Sequence, residues 1–277
     1  MRRVDAHHHL WDLAARPQDW LDDLGPIRRS FGLADLRAVA EPAGVDATVL
    51  VQVLPDVDET AEFLALAGES DLVAGVVGWV DLTAPDVADV LARLKEGPGG
   101  SRLAGVRHLV QSEPDPGWLA RPDVLGGLRA VRDAGLVYDV LTRPHQLPAA
   151  VEAARAVPDL VFVLDHLSKP DFSALEPWTK GVVELAREPN VVAKVSGLVT
   201  EAGPKWTVED LRPAFEVAFS VFGADRLMMG TDWPVCLLAA TYAEVVEATG
   251  ELAFGLSCGE RDRLFGETAV RVYGVGD

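Results

Sequence analysis

The segment Pro122–Leu141, PDVLGGLRAVRDAGLVYDVL, contains the alternation that decides the fold. It opens with a proline, which suits a first helical turn, and Val124, Leu128 and Val131 lie on one face of the helix that would follow. Gly135 is a typical helix end, and the apolar run after it is typical of a buried strand. The segment therefore predicts a helix followed directly by a strand, which is the repeating unit of α/β proteins.

Apolar, β-branched runs like the end of this segment recur along the chain. Several are apolar on both faces, as are strands of a parallel sheet covered by helices. They are Val4–His9, Ala47–Leu54, Val73–Leu82, Leu103–Val110, Leu136–Leu141, Leu160–Leu167, Val191–Val195 and Leu227–Gly230. Segments of helical length separate the runs. Thr83 and Thr207 are expected helix N-caps, and the last two helices are expected near Tyr242–Ala253 and Ser257–Tyr273.

Eight strand candidates with seven intervening helical segments predict a (βα)8 TIM barrel. A doubly wound open sheet usually has about five or six strands, so it fits less well. The length of 277 residues suits a barrel, and the chain has no domain-sized linker. We therefore expect a single barrel domain spanning residues 1–277.

The composition excludes several classes of protein. With 25 basic and 43 acidic residues, the formal net charge is −18, which disfavours nucleic acid and anionic membranes as partners. Two cysteines form no disulfide framework, and no apolar run approaches the roughly 18 residues of a membrane span. The N-terminus lacks the apolar region of a secretory signal. We expect a soluble, cytoplasmic protein with a small-molecule substrate, and nothing in the sequence specifies an oligomeric state.

The carboxyl ends of the strands are where a barrel places its active site, so polar residues there are the first candidates. The first strand ends in His7, His8 and His9. Side chains two residues apart on a strand share a face, so His7 and His9 point together and His8 points away. Two imidazoles on one face are a metal-ligand arrangement. The alternative is a pair of ordinary polar residues at a strand end, and His8 is expected to be a packing or surface residue.

The sixth and eighth strands also end in titratable groups. His166 follows Asp165 at the end of an apolar strand, where it is either functional or a buried histidine satisfied by backbone. Asp232 stands where the eighth strand gives way to a loop, directly after Gly230 and Thr231. It is the strongest carboxylate candidate for metal ligation or for general-base catalysis.

Five further residues are candidates for substrate binding. Arg107 and Arg143, near the ends of the fourth and fifth strands, could hold a carboxylate or a carbonyl. Lys194 could polarise a carbonyl or pair with a neighbouring acid, because an unpaired lysine within an apolar strand costs free energy. Gln52 is either a substrate contact or a satisfied core amide, and Trp11 either lines a sugar-sized pocket or belongs to the core.

The order of these motifs resembles that of the amidohydrolase superfamily, and more narrowly the amidohydrolase-related group that includes sugar lactonases. The similarity covers nearly the whole chain. The matching stretches are Asp5–Trp11, Gly105–Gln111, Arg143–Pro148, Val163–Pro170, Lys194–Leu198, Gly230–Pro234 and Phe265–Tyr273.

The resemblance implies a barrel that hydrolyses its substrate at the mouth. His7 and His9 match the ligand pair of the first strand, His166 the histidine of the sixth, and Asp232 the acid of the eighth. The fourth strand offers no bridging lysine or acid, so a site for two metals is not expected. The resemblance thus implies one divalent metal ion, with zinc as the expected metal and metal-independent catalysis as the alternative.

The function predicted from this pattern is hydrolysis of a small lactone, such as a 1,4- or 1,5-aldonolactone. Asp232 would activate water, and His166 would take part either as a metal ligand or in stabilising the oxyanion. A decarboxylase or an amide hydrolase of the same superfamily is the alternative chemistry. A barrel that binds a small ligand without catalysis is the alternative class.

Overall fold

The computed structural model describes residues 2–275 and contains an eight-stranded parallel barrel. Each strand pairs with the next one along the chain, in the order β1 to β8. The strands are β1 (Val4–His8), β2 (Ala47–Val51), β3 (Val73–Gly78), β4 (Leu103–His108), β5 (Val137–Val140), β6 (Phe162–Leu164), β7 (Val191–Val195) and β8 (Leu227–Met229). The predicted TIM barrel is therefore confirmed.

Helices follow the strands and cover the outside of the barrel, so that the core lies within the barrel and between strands and helices. They are α1 (Leu33–Ala40), α2 (Val57–Gly68), α3 (Val87–Glu96), α4 (Pro122–Asp133), α5 (Leu147–Ala156), α6 (Leu175–Leu185), α7 (Leu198–Ala202), α8 (Val208–Phe222), α9 (Tyr242–Leu252), α10 (Cys258–Asp262) and α11 (Thr268–Tyr273). A π-helical turn, Arg263–Glu267, joins the last two. Among the described residues, no helix is both long and apolar enough to cross a membrane.

Two details of the predicted elements differ from the structure. The run Leu160–Leu167 contains only three strand residues, because the backbone leaves the strand at Asp165. Thr83 is not a helix N-cap, since α3 begins four residues later at Val87 and the Thr83 hydroxyl donates to Asp81 instead. The N-cap predicted at Thr207 is confirmed, because its side chain accepts from the backbone N–H of the third helical residue.

The seam between β1 and β8 decides which side chains meet at the barrel mouth. The backbone N–H of Asp232 donates to the carbonyl of His7 at 2.8 Å, and the N–H of His9 donates to the carbonyl of Trp233 at 2.7 Å. These bonds connect the end of the first strand to the loop after the last. Residues more than 220 positions apart in sequence are thereby held side by side.

Candidate active site

A cavity of about 290 Å³ opens at the carboxyl ends of the strands. Its lining combines polar side chains with apolar and aromatic ones. Its lining consists of His9, Trp11, Trp20, Val53, Leu54, Arg107, Leu109, Gln111, Ser112, Leu141, His166, Lys169, Asp232 and Val235. This volume lies near the lower end of the range for small-molecule sites, so the cavity suits a small ligand.

Four of the predicted site residues converge at the floor of this cavity. Oδ1 of Asp232 lies 3.3 Å from Nε2 of His9, 3.7 Å from Nε2 of His7 and 3.8 Å from Nε2 of His166. The Nε2 atoms of His7 and His9 are 3.2 Å apart. His8 points away and is buried, as the alternation of the strand predicts.

The opposite ring nitrogen of each imidazole is held by a second residue. Nδ1 of His9 lies 2.8 Å from the carbonyl oxygen of Val51, which can only accept, so Nδ1 carries the proton. Nδ1 of His7 lies 3.2 Å from Asp165, and Nδ1 of His166 lies 2.8 Å from the hydroxyl of Ser196. These contacts orient all three Nε2 atoms toward Asp232. Such an arrangement is the usual support of histidine metal ligands.

A buried carboxylate fixes the loop that carries Asp232. Asp5 accepts from the backbone N–H of Thr231 at 2.8 Å, from the Thr231 hydroxyl at 2.5 Å and from the Tyr242 hydroxyl at 3.0 Å. It also accepts from the backbone N–H of His7 at 3.1 Å, so it connects both sides of the barrel seam. Burial raises the pKa of Asp5 to about 6, against the opposing effect of these donors.

Both catalytic candidates stand on unusual backbone. Asp232 has φ of 59°, and the four residues from His166 to Lys169 have φ between 49° and 60°. Residues other than glycine rarely adopt this left-handed region, and such strain concentrates at functional sites. Close packing maintains it: a Cβ at Gly197 would lie 2.8 Å from the His166 ring, and one at Gly230 would lie 2.8 Å from the His7 Cβ.

Arg107 is a rigid positive charge on the cavity wall. Its Nε and Nη2 donate to Oε1 of Gln52 at 3.1 and 2.7 Å, and Nη2 also donates to the Gln52 carbonyl at 2.6 Å. Nη1 pairs with Asp165 at 3.1 Å and lies 3.4 Å from Nε2 of His7. The guanidinium is therefore held from two sides, in an orientation that needs no reorganisation when a ligand binds.

A second buried cation lies beneath the floor of the site. Lys194 is fully buried, and its Nζ pairs with Asp139 at 2.5 Å and with Asp165 at 3.0 Å. The same Nζ lies 3.1 Å from Nδ1 of His7, and the hydroxyl of Tyr273 donates to Asp139 at 3.0 Å. The network extends from the C-terminal helix to the first histidine. Each charge in it has an opposite partner, which is what a buried charge requires.

The electrostatics leave Asp232 ionised and His7 and His166 neutral. Burial alone would raise the pKa of Asp232, but interactions with His166, His9 and His7 outweigh it and hold the pKa below the ordinary value. Burial lowers the pKa of His166 to about 4 and that of His7 well below its usual range. The carboxylate of Asp232 can therefore accept a proton. A carboxylate together with imidazoles is also a set of groups that binds divalent metals.

Within residues 2–275, two groups of side chains have the spacing of a metal site. His7, His166 and Asp232 form the first, with His9 adjacent to it. Imidazole Nε2 atoms that converge on a carboxylate suit a divalent cation, so this donor set fits one ion. The second group is His7, Asp139 and Asp165. Nζ of Lys194 already lies between its two carboxylates, so a metal ion there would meet an ammonium.

The five residues predicted to bind substrate lie in different places. Trp11 and Arg107 line the cavity. Gln52 and Lys194 are buried behind the lining, where they contact Arg107 and the buried aspartates. Arg143 is exposed and lines a neighbouring groove with His145 and Lys169.

The sequence reasoning missed Asp5, whose carboxylate holds the loop that carries Asp232. β1 has a register shift between Asp5 and His8, so strand alternation does not place Asp5 on the face of His7 and His9, and it could not have marked this residue. For Trp20 the sequence leaves the same two alternatives as for Trp11, a sugar-sized pocket or the core, and the structure places it in the cavity lining.

Comparisons with known proteins agree with this geometry. The chain is similar to L-fucono-1,5-lactonase of Burkholderia ambifaria, with 36% identity over 99% of this chain and 96% of that protein. It is 38% identical to L-fucono-1,5-lactonase of Burkholderia multivorans over the same shares. A crystal structure of an amidohydrolase from Burkholderia multivorans with bound zinc superposes with a TM-score of 0.91, at 36% identity and full coverage of both chains.

The sequence profile of the amidohydrolase family matches residues 4–275, which includes every strand of the barrel and all four converging residues. The profile match and the full-length relatives lead to the same assignment. This chain is a member of the amidohydrolase family.

Proposed function

We propose that this protein hydrolyses the lactone of a sugar acid, and that a 1,5-lactone such as L-fucono-1,5-lactone is its class of substrate. The observation that carries the proposal is the ionised Asp232, surrounded by three imidazole Nε2 atoms beside the fixed guanidinium of Arg107. The similarity to two L-fucono-1,5-lactonases supports the choice of substrate.

In this mechanism Asp232 acts as general base and then as general acid. Its carboxylate takes a proton from water as the water oxygen attacks the lactone carbonyl carbon. When the bond between that carbon and the ring oxygen breaks, Asp232 returns the proton to the ring oxygen. The products are one carboxyl group and one hydroxyl group, and Asp232 is regenerated.

Arg107 supplies the positive charge that this reaction needs. Negative charge develops on the carbonyl oxygen in the transition state, and a donor already fixed in place stabilises it without reorganisation. Arg107 is fixed in this sense by Gln52 and Asp165. His166 lines the same cavity, and its position over Asp232 favours a role in holding the reacting groups.

The converging residues also fit one divalent ion, and the zinc-bound relative makes zinc the proposed metal. His7, His9, His166 and Asp232 would hold it. When bound, such an ion polarises a carbonyl and lowers the pKa of water. The buried contacts of His7 and His9 keep their Nε2 atoms available for this role.

The test is Asp232→Asn, assayed by the acid released from a panel of aldonolactones in a pH-indicator buffer. Loss of a general base typically reduces turnover by about 10²–10⁴-fold, and we expect a reduction in that range. Asp159→Asn is the control, because Asp159 is exposed and precedes β6 at the opposite end of the barrel. Turnover near the wild-type level in Asp232→Asn would refute the assignment. Assay with and without chelator, together with metal content of the same sample, tests the metal.

A further inference from the structure

Trp20 is an exposed aromatic residue at the rim of the active-site cavity. Among residues 2–275, only Trp20 and Phe254 are large hydrophobic side chains that are substantially exposed, at 42% and 83%. Trp20 lines the cavity with His166 and Asp232, whereas Phe254 does not. Small-molecule sites are lined largely by apolar and aromatic side chains, so an aromatic ring that lines this cavity is placed to contact a ligand.

The surroundings of Trp20 hold its ring in place. It lies in the short helical turn Asp19–Leu21 of the β1–α1 connection, and its indole N–H donates to Oε1 of Gln18 at 2.7 Å. Its ring meets that of Trp11 edge to face, with centroids 5.6 Å apart. Trp11 in turn packs against Phe31 at 5.4 Å. The ring is thus supported from within the protein before any substrate arrives.

The same contacts limit the kinds of interaction that Trp20 can make with a substrate. Its only hydrogen-bond donor is already bound to Gln18, so the exposed part of the ring provides an apolar, π-electron surface. The indole N–H of Trp11 is likewise used, since it donates to the carbonyl of Arg29 at 2.7 Å. Any contact made by Trp20 is therefore one of packing and not of hydrogen bonding.

The mixed lining of the cavity fits a sugar-lactone ring. His9 and His166 lie beside Asp232, and apolar side chains such as Val53, Leu109 and Leu141 also line the cavity. A sugar lactone has hydroxyl groups around its edge and C–H groups on its faces. A ring with this distribution can direct its carbonyl and hydroxyl groups to the polar residues while one C–H face packs on an aromatic surface.

We propose that Trp20 is a substrate-binding residue that packs on the C–H face of the lactone ring and sets the preference for cyclic sugar esters. This inference rests on the proposed lactonase function. The contact is made equally in the ground state and in the transition state, because the C–H face does not change charge during the reaction. Its removal should therefore raise KM and leave kcat nearly unchanged.

The experiment compares Trp20→Ala, Trp20→Phe and Phe254→Ala with the wild type, using L-fucono-1,5-lactone as substrate. We expect Trp20→Ala to raise KM about tenfold with kcat within twofold, and Trp20→Phe to raise KM less than threefold. Phe254→Ala is the control, since it removes an exposed ring outside the cavity, and it should match the wild type. A retained kcat also shows that Trp20→Ala is folded.

A second substrate separates packing from general damage to the site. Ethyl acetate, an acyclic ester without a ring of any kind, should be hydrolysed with the same kcat/KM by wild type and by Trp20→Ala. A KM for the sugar lactone within twofold of the wild type in Trp20→Ala would overturn the inference while leaving the lactonase function intact. A wild-type enzyme that opens no aldonolactone would overturn the proposed function and this inference with it.

Discussion

The substitution Gln52→Leu tests whether the protein positions Arg107 through a residue that the substrate never touches. Gln52 is fully buried and does not line the cavity, and its Oε1 accepts from both Nε and Nη2 of Arg107. Leucine is similar in size and removes this acceptor. The Gln52 backbone carbonyl and Asp165 remain as partners of the guanidinium.

The hydrogen bonds between Gln52 and Arg107 set the expected effect of Gln52→Leu on the rate. A hydrogen bond to a charged group contributes about 1.5–3 kcal/mol, and the two bonds here share one acceptor oxygen. We therefore expect Gln52→Leu to reduce the transition-state stabilisation by Arg107 by about 2 kcal/mol, which corresponds to a reduction in rate of about 30-fold. If Arg107 stabilises charge that develops only in the transition state, this loss appears in kcat and KM stays within about twofold.

The assay is steady-state hydrolysis of an aldonolactone by wild type, Gln52→Leu, Arg107→Met and the double variant. If Gln52 acts through Arg107, the double variant falls no further than Arg107→Met alone. Gln146→Leu is the matched control. Gln146 is equally buried and bonds to Val110 and Arg143, without contact to Arg107, so its replacement should leave kcat unchanged.

Two results would refute this reasoning. Additive effects of Gln52→Leu and Arg107→Met would show that the two residues act separately. A rise in KM at constant kcat would show that Gln52 contacts the substrate, which was the other role considered for it from the sequence.

Three further predictions concern stability. Lys194→Met leaves the buried Asp139 without its cation and Asp165 with Arg107 alone, and it should lower the free energy of unfolding by about 3–5 kcal/mol. Urea denaturation measures this change, and Lys180→Met, which breaks an exposed pair, should change the free energy of unfolding by less than about 1 kcal/mol. Gly127→Ala would place a Cβ 2.2 Å from a backbone carbonyl oxygen and should destabilise the fold. Gly126→Ala, on the same helix, would place a Cβ with no atom within 4 Å and should stabilise the fold by about 0.5–1 kcal/mol. An equal midpoint of urea denaturation for the two variants would contradict this. Burial raises the pKa of Glu59 from 4.5 to about 7, so the folded state binds this proton more tightly than the unfolded state does. The free energy of unfolding should therefore fall as pH rises between these two values, with a slope that approaches about 1.4 kcal/mol for each pH unit. The slope should disappear in Glu59→Gln.

The barrel could be predicted from the sequence because its signal is local. Each strand is a short apolar run, and each helix has its own apolar stripe, so the elements can be counted without knowing what they touch. The alternation of the first strand also placed His7 and His9 on one face, and the structure confirms that orientation. The limits of β6 could not be predicted, because the left-handed backbone from His166 onward is maintained by packing against other strands.

The partners of the buried charges could not be predicted from the sequence, for a different reason. Lys194 lies on β7, and the two acids that pair with it come from β5 and from the end of β6. No spacing rule connects residues 194, 165 and 139. They come together because their strands are neighbours around the barrel and these three side chains point into it. The sequence could show that Lys194 needed a partner, and the three-dimensional structure supplies which one.

These pairings also change the expected charge of the site. From the sequence, Arg107 and Lys194 suggest a basic pocket, but in the structure both are paired with buried aspartates. Lys169, at the rim, faces Glu201 at 3.5 Å. The acid that lines the cavity without a lysine or arginine partner is Asp232, which has only imidazoles around it. A neutral lactone enters such a site without electrostatic cost. The sugar-acid product carries a carboxylate formed close to Asp232, and in the metal-free protein repulsion between the two favours its release. We therefore expect the aldonate product to inhibit chelator-treated protein weakly, with a Ki well above the KM for the lactone, and a Ki below that KM would contradict this picture of the charge.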